Sequence, residues 1–272
     1  MRVAYGLEVA CASAMSVCPV GGPVEHVDLV LGFPSLPAEF SGLRVGLLAD
    51  LHLPSSTALL PRVREWASAE EVDVWAVTGD LIDHKRGIGL ARELLAALSA
   101  PYGIYAVAGN NDNRIFGPGA PATAAIEAMG ATVLRNRSVL LQRSRATLPL
   151  IGVDDPSRKH DDLRAAMHGL DGCPFSLLLA HSPGVAFRAA EVGISLVLTG
   201  HTHGGQIRLP RIGALTSRTR QRGCGRKMAG GLFSVDGTAV YVSRGLGTSL
   251  LPVRILCPPE VTTITLLREE PT

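Results

Sequence analysis

Apolar residues in this chain gather in short, aliphatic runs that stop at a polar side chain. Residues 43–49 (LRVGLLA) stop at Asp50, with His52 two positions on. Residues 74–78 (VWAVT) are followed by Asp80, and 104–108 (IYAVA) by Asn110, Asn111 and Asp112. Residues 176–180 (SLLLA) stop at His181, and ISLVLTG stops at His201 and His203. Runs of this length and composition read as strands buried on both faces. Between them, helical spacing predicts helices near 58–69, 89–99, 122–129 and 162–167. Asp50, Asp80 and Asn110 are spaced 30 positions apart. That interval is about one strand–helix–strand unit, which places the three side chains at equivalent ends of adjacent parallel strands.

The second half of the chain predicts shorter strands at 132–134, 138–141, 148–153 and 176–180. Residues 183–192 read as a helix with Ser182 as N-cap and Pro183 at its first position. Further strands are expected at 205–209, 231–235, 239–243, 253–256 and 261–267, with Asp236-Gly237 as a hairpin turn. Residues 1–40, broken by Gly21, Gly22, Pro23, Pro34 and Pro37, read as a leader carrying one strand at 27–33. Residues 41–268 form the main domain. The fold class is α/β, with two stacked sheets and helices outside them.

Composition agrees with a packed core: 272 residues, 46% hydrophobic and 18% charged. The net charge of +2 hides a local feature. Arg208, Arg211, Arg218, Arg220, Arg222, Arg226 and Lys227 lie in one stretch without an acidic residue. Such a stretch suits anionic substrate or membrane headgroups, and equally a solvated loop. Aromatic residues make up 4% of the chain and do not interleave with this run, which argues against nucleic acid as partner. The five cysteines lack CxxC spacing and read as reduced thiols. No run of about 18 apolar residues predicts a membrane span. Glu8 interrupts the opening stretch, against a secretory signal. The expected location is cytoplasmic, with peripheral contact to the inner membrane face through residues 208–227.

Polar groups at the ends of parallel strands converge on one edge, where open α/β folds place their sites. Carboxylates, an amide and four imidazoles gathered there suggest a cage for two metal ions. Taken singly, each Asp or His serves a turn or a surface just as readily.

The blocks D-x-H (Asp50, His52), G-D (Asp80), G-N-x-D (Asn110, Asp112), H (His181) and G-H-x-H (His201, His203) occur in this order. In that order they resemble the calcineurin-like metallophosphoesterase superfamily. The segments GDLIDH, LRNRSV, IGVDD, GHTHGGQIRLP, SRGLGTS and PPEVTTITL are similar to its bacterial branch of membrane-associated phosphodiesterases. That branch includes a UDP-2,3-diacylglucosamine pyrophosphatase. The likeness covers roughly residues 34–267. It implies a four-layer α/β/β/α sandwich of two mixed sheets. It also implies a dinuclear phosphodiesterase or pyrophosphatase that uses a metal-bridging water as nucleophile, on a phosphorylated small-molecule or lipid-linked substrate. Asp50, His52 and His203 would hold one metal, Asn110, His181 and His201 the other, and Asp80 would bridge them. Mixed oxygen and imidazole donors suit Mn²⁺, with Fe, Zn²⁺ or Ni²⁺ as alternatives. Asp112 would orient the ligands from behind.

One position departs from the family pattern, which has His where this chain has Asn111. An amide can hydrogen-bond a phosphoryl oxygen but cannot donate and reclaim a proton. Arg114 is a candidate phosphate clamp. His84, near Asp80, is a candidate substitute acid or a surface residue. Two other readings therefore stay open: a non-catalytic metal-binding or scaffold member of the fold, and an enzyme of specialised metabolism that has turned the dinuclear site to another reaction. The sequence does not specify an oligomeric state.

Overall fold

Alternating side chains along each buried run have two layers to fill. Leu43, Val45 and Leu47 enter one apolar cluster while Leu48 enters another; Val74 and Ala76 alternate in the same way with Trp75 and Val77. In the second half Leu177, Leu179, Leu196, Leu198, Ala239 and Tyr241 join the cluster that holds Leu43 and Val45. Their neighbours Leu178, Val197, Val240 and Val242 face a third cluster with Ala186 and Ala189. This period-2 division builds helix, sheet, sheet and helix layers, with the central core between the sheets.

The computed structural model describes residues 3–4, 17–19, 22–156, 159–215 and 228–270. Seven strands form the first sheet, in the order Val3–Ala4, Glu25–Phe33, Glu260–Arg268, Leu43–Leu48, Val74–Val77, Ile104–Ala106 and Thr132–Val133. From Leu43–Leu48 to Thr132–Val133 the strands are parallel, as the 30-residue spacing predicts. Six strands form the second sheet, in the order Gly231–Val235, Thr238–Val242, Leu196–Thr199, Leu177–Leu179, Ala146–Gly152 and Arg137–Arg143. Its four inner strands are parallel and its two edge strands antiparallel. Both sheets are thus mixed.

The strand expected at 27–33 runs Glu25–Phe33 and pairs along its whole length with Glu260–Arg268. The Asp236-Gly237 hairpin is present, with positive φ at both residues, the requirement of a tight primed turn. Three local expectations differ. Among the described residues, 1–40 carry three strands rather than one: Val3–Ala4 and Glu25–Phe33 in the first sheet, and Val17–Pro19 paired with Val253–Ile255, because backbone pairing with later strands extends short segments that lack an apolar pattern. Residues 183–192 divide into a 3-10 turn, Pro183–Val185, and a short helix, Ala186–Glu191, and Ser182 makes no side-chain cap. The strand expected at 205–209 shrinks to Arg208–Leu209, because Gly204, Gly205 and Gln206 all take left-handed backbone and cannot continue an extended run. No helix among the described residues is long and apolar enough to cross a membrane. Cys173 and Cys257 carry free thiols.

Candidate metal centre

Parallel pairing aligns Leu48 with Val77 and Val77 with Ala106, so the polar residues just beyond them share one edge. Leu179 and Leu198 are aligned in the second sheet, which brings His181 and His201 to its matching edge. The first segments are then tied by backbone: Asp50 N–H donates to Gly79 O (3.2 Å) and His52 N–H to Asp80 O (2.9 Å). Between the sheets, His201 N–H donates to Asp50 Oδ2 at 2.8 Å.

The seven expected ligands are gathered here. Ligand atoms of Asp50, His52 and His203 lie within 4.8 Å of one another, as do those of Asp50, Asp80 and His181. Nε2 of His181 is 3.1 Å from Asn110 Oδ1 and 3.0 Å from His201 Nδ1. Nε2 of His52 is 3.2 Å from His203 Nε2 and 3.5 Å from Asp80 Oδ2. Asp50, His52, Asp80, His181 and His203 are buried, and Asn110 and His201 are half-buried.

Two carbonyls fix how the rings face. A carbonyl only accepts, so His181 donates through Nδ1 to Thr78 O (2.8 Å) and His203 through Nδ1 to Gly247 O (3.2 Å). In both rings Nε2 is left facing the cavity, the arrangement that prepares imidazole for a cation. Asp50 Oδ1 is buried without a hydrogen-bond partner. An anionic oxygen in that condition is costly unless a cation meets it. The donor set therefore fits divalent metal ions.

Backbone strain accompanies the cage. Asp50, His52, Asp80, His201 and His203 all have positive φ. Left-handed backbone in non-glycine residues costs roughly 1–3 kcal/mol each and clusters at functional sites.

The charges perturb one another strongly. Burial pushes the Asp50 carboxyl up to about 7, against the lowering effect of His181. Burial would raise Asp80 too, but the His181 and His52 rings outweigh it and hold this carboxyl below its ordinary value. Burial would lower His181, yet Asp80 and Asp50 bring it up to about 9. Desolvation keeps His52 below its ordinary value.

Asp112 sits behind the ligands. Its Oδ1 accepts from the Leu81 and Ile82 N–H groups (3.1 and 3.3 Å) and its Oδ2 from Gly109 N–H (2.9 Å). It thereby joins the Asp80 turn to the start of a helix, Asn110–Phe116, that the sequence pattern did not predict. Burial, then Asp80, raise its carboxyl to about 7. Asn111 faces the cage and binds Asp80, while exposed Arg114 donates through Nε (3.2 Å) and Nη2 (2.8 Å) to Asn111 Oδ1. His84 is exposed and accepts from Arg86 N–H at its own short turn. Of the basic stretch, Arg208 and Arg211 are described; Arg218, Arg220, Arg222, Arg226 and Lys227 lie outside the described residues.

Arg254 carried no sequence signal, being an isolated Arg in a short strand, Val253–Ile255. Its guanidinium is buried behind His203. The glycines before the ligands did carry one: a Cβ on Gly109 would collide with Asp80 Oδ1, and one on Gly200 would lie 2.6 Å from Asp50 Oδ2.

Comparison with known proteins matches residues 43–205 to the family model described as calcineurin-like phosphoesterase. The metallophosphoesterase YkuE of Bacillus subtilis is 32% identical over 253 residues, covering 89% of this chain and 85% of that protein. The metallophosphoesterase YkoQ of the same organism is 30% identical, covering 84% of each. A zebrafish (Danio rerio) transmembrane protein with a metallophosphoesterase domain is 32% identical, and the match spans 57% of its length. Among solved structures, a 5'-nucleotidase precursor from Thermus thermophilus superposes with a TM-score of 0.48 at 16% identity. That superposition covers 83% of this chain and 54% of the other.

Proposed function

This chain belongs to the calcineurin-like phosphoesterase family and is a phosphoester hydrolase, and on that premise we propose that it cleaves a phosphodiester or pyrophosphate with two divalent cations held in the cage. Asp50, His52 and His203 would hold one ion, and Asn110, His181 and His201 the other, with Asp80 between them. The observation that carries this reading is Asp50 Oδ1, buried without a hydrogen bond amid ring nitrogens turned inward by carbonyls. Oxygen and imidazole donors without thiolate suit Mn²⁺, with Fe, Zn²⁺ or Ni²⁺ as alternatives. When bound, such a pair supplies an activated water and neutralises charge on the phosphoryl oxygens.

The chain's own residues set the rest. Asp112 fixes the Asp80 turn against Gly109, so the carboxylate is presented at one angle. Asn111 can hydrogen-bond a phosphoryl oxygen by exchanging a bond it now makes, but it has no proton to give. Leaving groups that are already stable anions, such as a nucleoside monophosphate or an aryl oxide, fit this site best. Arg114 is exposed beside Asn111 and can turn its guanidinium to a phosphate.

The same reading extends to the substrate's setting. Leu209, Ile212 and Leu215 are exposed on a hairpin that follows His203, and Leu250 and Leu251 on a loop that Gln206 ties to it through Leu251 O (2.6 Å) and Ser249 N (2.9 Å). Leu250 is 93% exposed. With Arg208 and Arg211 on the same hairpin, this rim suits a lipid-linked phosphate at an anionic membrane surface better than a nucleic acid. It supports the membrane-associated branch and a cytoplasmic protein peripheral to the inner face.

Hydrolysis of bis(p-nitrophenyl) phosphate by metal-free protein resupplied with Mn²⁺, Fe²⁺, Zn²⁺ or Ni²⁺ tests the proposal. Turnover with at least one ion is expected. Bound metal with no turnover under any of the four would favour a binding or scaffold role.

A further inference from the structure

Arg254 is 2% exposed, and among the described residues no carboxylate accepts from it. Its acceptors are backbone carbonyls, joined by the Cys257 sulfur at 3.9 Å from Nη1. Nε donates to Gly247 O (3.1 Å), Nη1 to His203 O (3.2 Å) and Cys257 O (3.4 Å), and Nη2 to Arg244 O (2.8 Å) and Gly245 O (3.0 Å). Sealing a cation among dipoles costs desolvation that an apolar residue would avoid. What that cation holds accounts for its presence.

Gly247 is where one half of the cage converges. Its carbonyl accepts from His203 Nδ1, and its N–H donates to Asp50 O at 2.6 Å. A Cβ on it would lie 2.7 Å from His52 Cβ. Asp50, His52 and His203 therefore all rest on one glycine, and Arg254 grips that glycine's carbonyl together with the carbonyl of His203 itself. In the other half, His181 is held instead by Thr78 O, on a different strand end.

We propose that Arg254 is the positioning residue of the Asp50–His52–His203 half of the centre, its planar fork fixing Gly247 and His203 so that the three donors converge on one ion. The inference rests on the dinuclear reading above. A guanidinium suits the task because its donors lie in one plane and reach several carbonyls at once, which a single ammonium nitrogen cannot do.

Calorimetric titration of the metal-free full chain with Mn²⁺ tests it without any substrate. Wild-type protein should take up two ions. Arg254→Met should take up one at its original affinity and the second about 10–100-fold more weakly, the usual effect of losing a group that orients a ligand. Arg254→Lys keeps the charge and should recover only part of that loss. Unchanged binding in Arg254→Met, equal weakening of both ions, or full recovery by Lys would each overturn the proposal. If Arg254→Met does not melt cooperatively, Arg254→Lys decides alone: selective weakening of one ion supports the assignment, and wild-type affinities for both overturn it. Wild-type protein that binds fewer than two ions would instead remove the dinuclear reading, a result seen before any variant is made.

Discussion

Asn111 holds both oxygens of Asp80: its backbone N–H donates to Oδ1 and its side-chain amide to Oδ2, each at 2.7 Å. The residue that departs from the family pattern is thus built into the cage, with its own Oδ1 occupied by Arg114. Restoring a proton donor should matter most where the departing group is a poor anion. Asn111→His is expected to raise hydrolysis of alkyl phosphodiesters at least about 10-fold more than that of p-nitrophenyl esters, a fraction of the range for general acids. Parallel kcat/KM measurements on the two ester classes check this; equal factors would count against the proton-donor argument.

Protons and cations compete for the centre. Asp50 is raised from 3.8 to about 7, so its contribution to metal-free stability is complete below pH 3.8 and is lost as pH rises through about 7. His181 is raised from 6.5 to about 9, and its contribution is lost as pH rises through about 9. Asp80, held low, acts oppositely only below its ordinary value of 3.8, and His52, held below 6.5, acts oppositely below that value and offsets part of the fall. The melting temperature of chelator-treated protein should therefore fall between about pH 4 and 9. Binding a cation removes the same protons, so Mn²⁺ affinity should climb across that window. An Asp50→Asn variant should flatten the lower part of the thermal slope without abolishing it, because Asp112, also raised from 3.8 to about 7, acts over the same window.

Asp112→Ala leaves the N–H groups of Leu81, Ile82 and Gly109 without their acceptor inside the fold. The expected cost is at least about 2 kcal/mol in urea unfolding. Asp112→Asn, which keeps one carbonyl oxygen for Leu81 and Ile82, should cost less.

Gly109→Ala tests the closeness of the backbone to Asp80. The added methyl would overlap both Asp80 Oδ1 and the Asp80 backbone nitrogen. Relief of that overlap should cost about 1–3 kcal/mol and displace the carboxylate. A folded variant by circular dichroism, with hydrolysis greatly reduced, is the anticipated result.

The leucine rim gives a binding prediction. Replacing Leu250 and Leu251 together with Ser should reduce flotation with vesicles of anionic phospholipid while leaving hydrolysis of bis(p-nitrophenyl) phosphate intact. Unaltered flotation would count against a membrane-facing role for the 247–253 loop.

Much of the centre was legible because buried parallel strands announce themselves as uncharged runs. The even spacing of Asp50, Asp80 and Asn110 turned three such runs into one edge. The helix Asn110–Phe116 was not legible, since NNDNRIF carries no apolar periodicity and its start is fixed by Asp112 reaching back to Gly109. The strand expected at 205–209 failed for a backbone reason: left-handed geometry at Gly204, Gly205 and Gln206 outweighed an apolar pattern. Arg254 was invisible because all but one of its acceptors are main-chain carbonyls, which no side-chain pattern records.

Glu260–Arg268 lies in the interior of its sheet, between Glu25–Phe33 and Leu43–Leu48. Synthesis from the N-terminus delivers both flanking partners long before the element that joins them. Until Glu260 and its successors emerge from the ribosome, the open flank of Leu43–Leu48 is a bare template for any other extended chain. A nascent polypeptide halted before that point would present aggregation-prone edges, and the hydrolase could begin to work only after Glu260–Arg268 has been made and inserted between its neighbours.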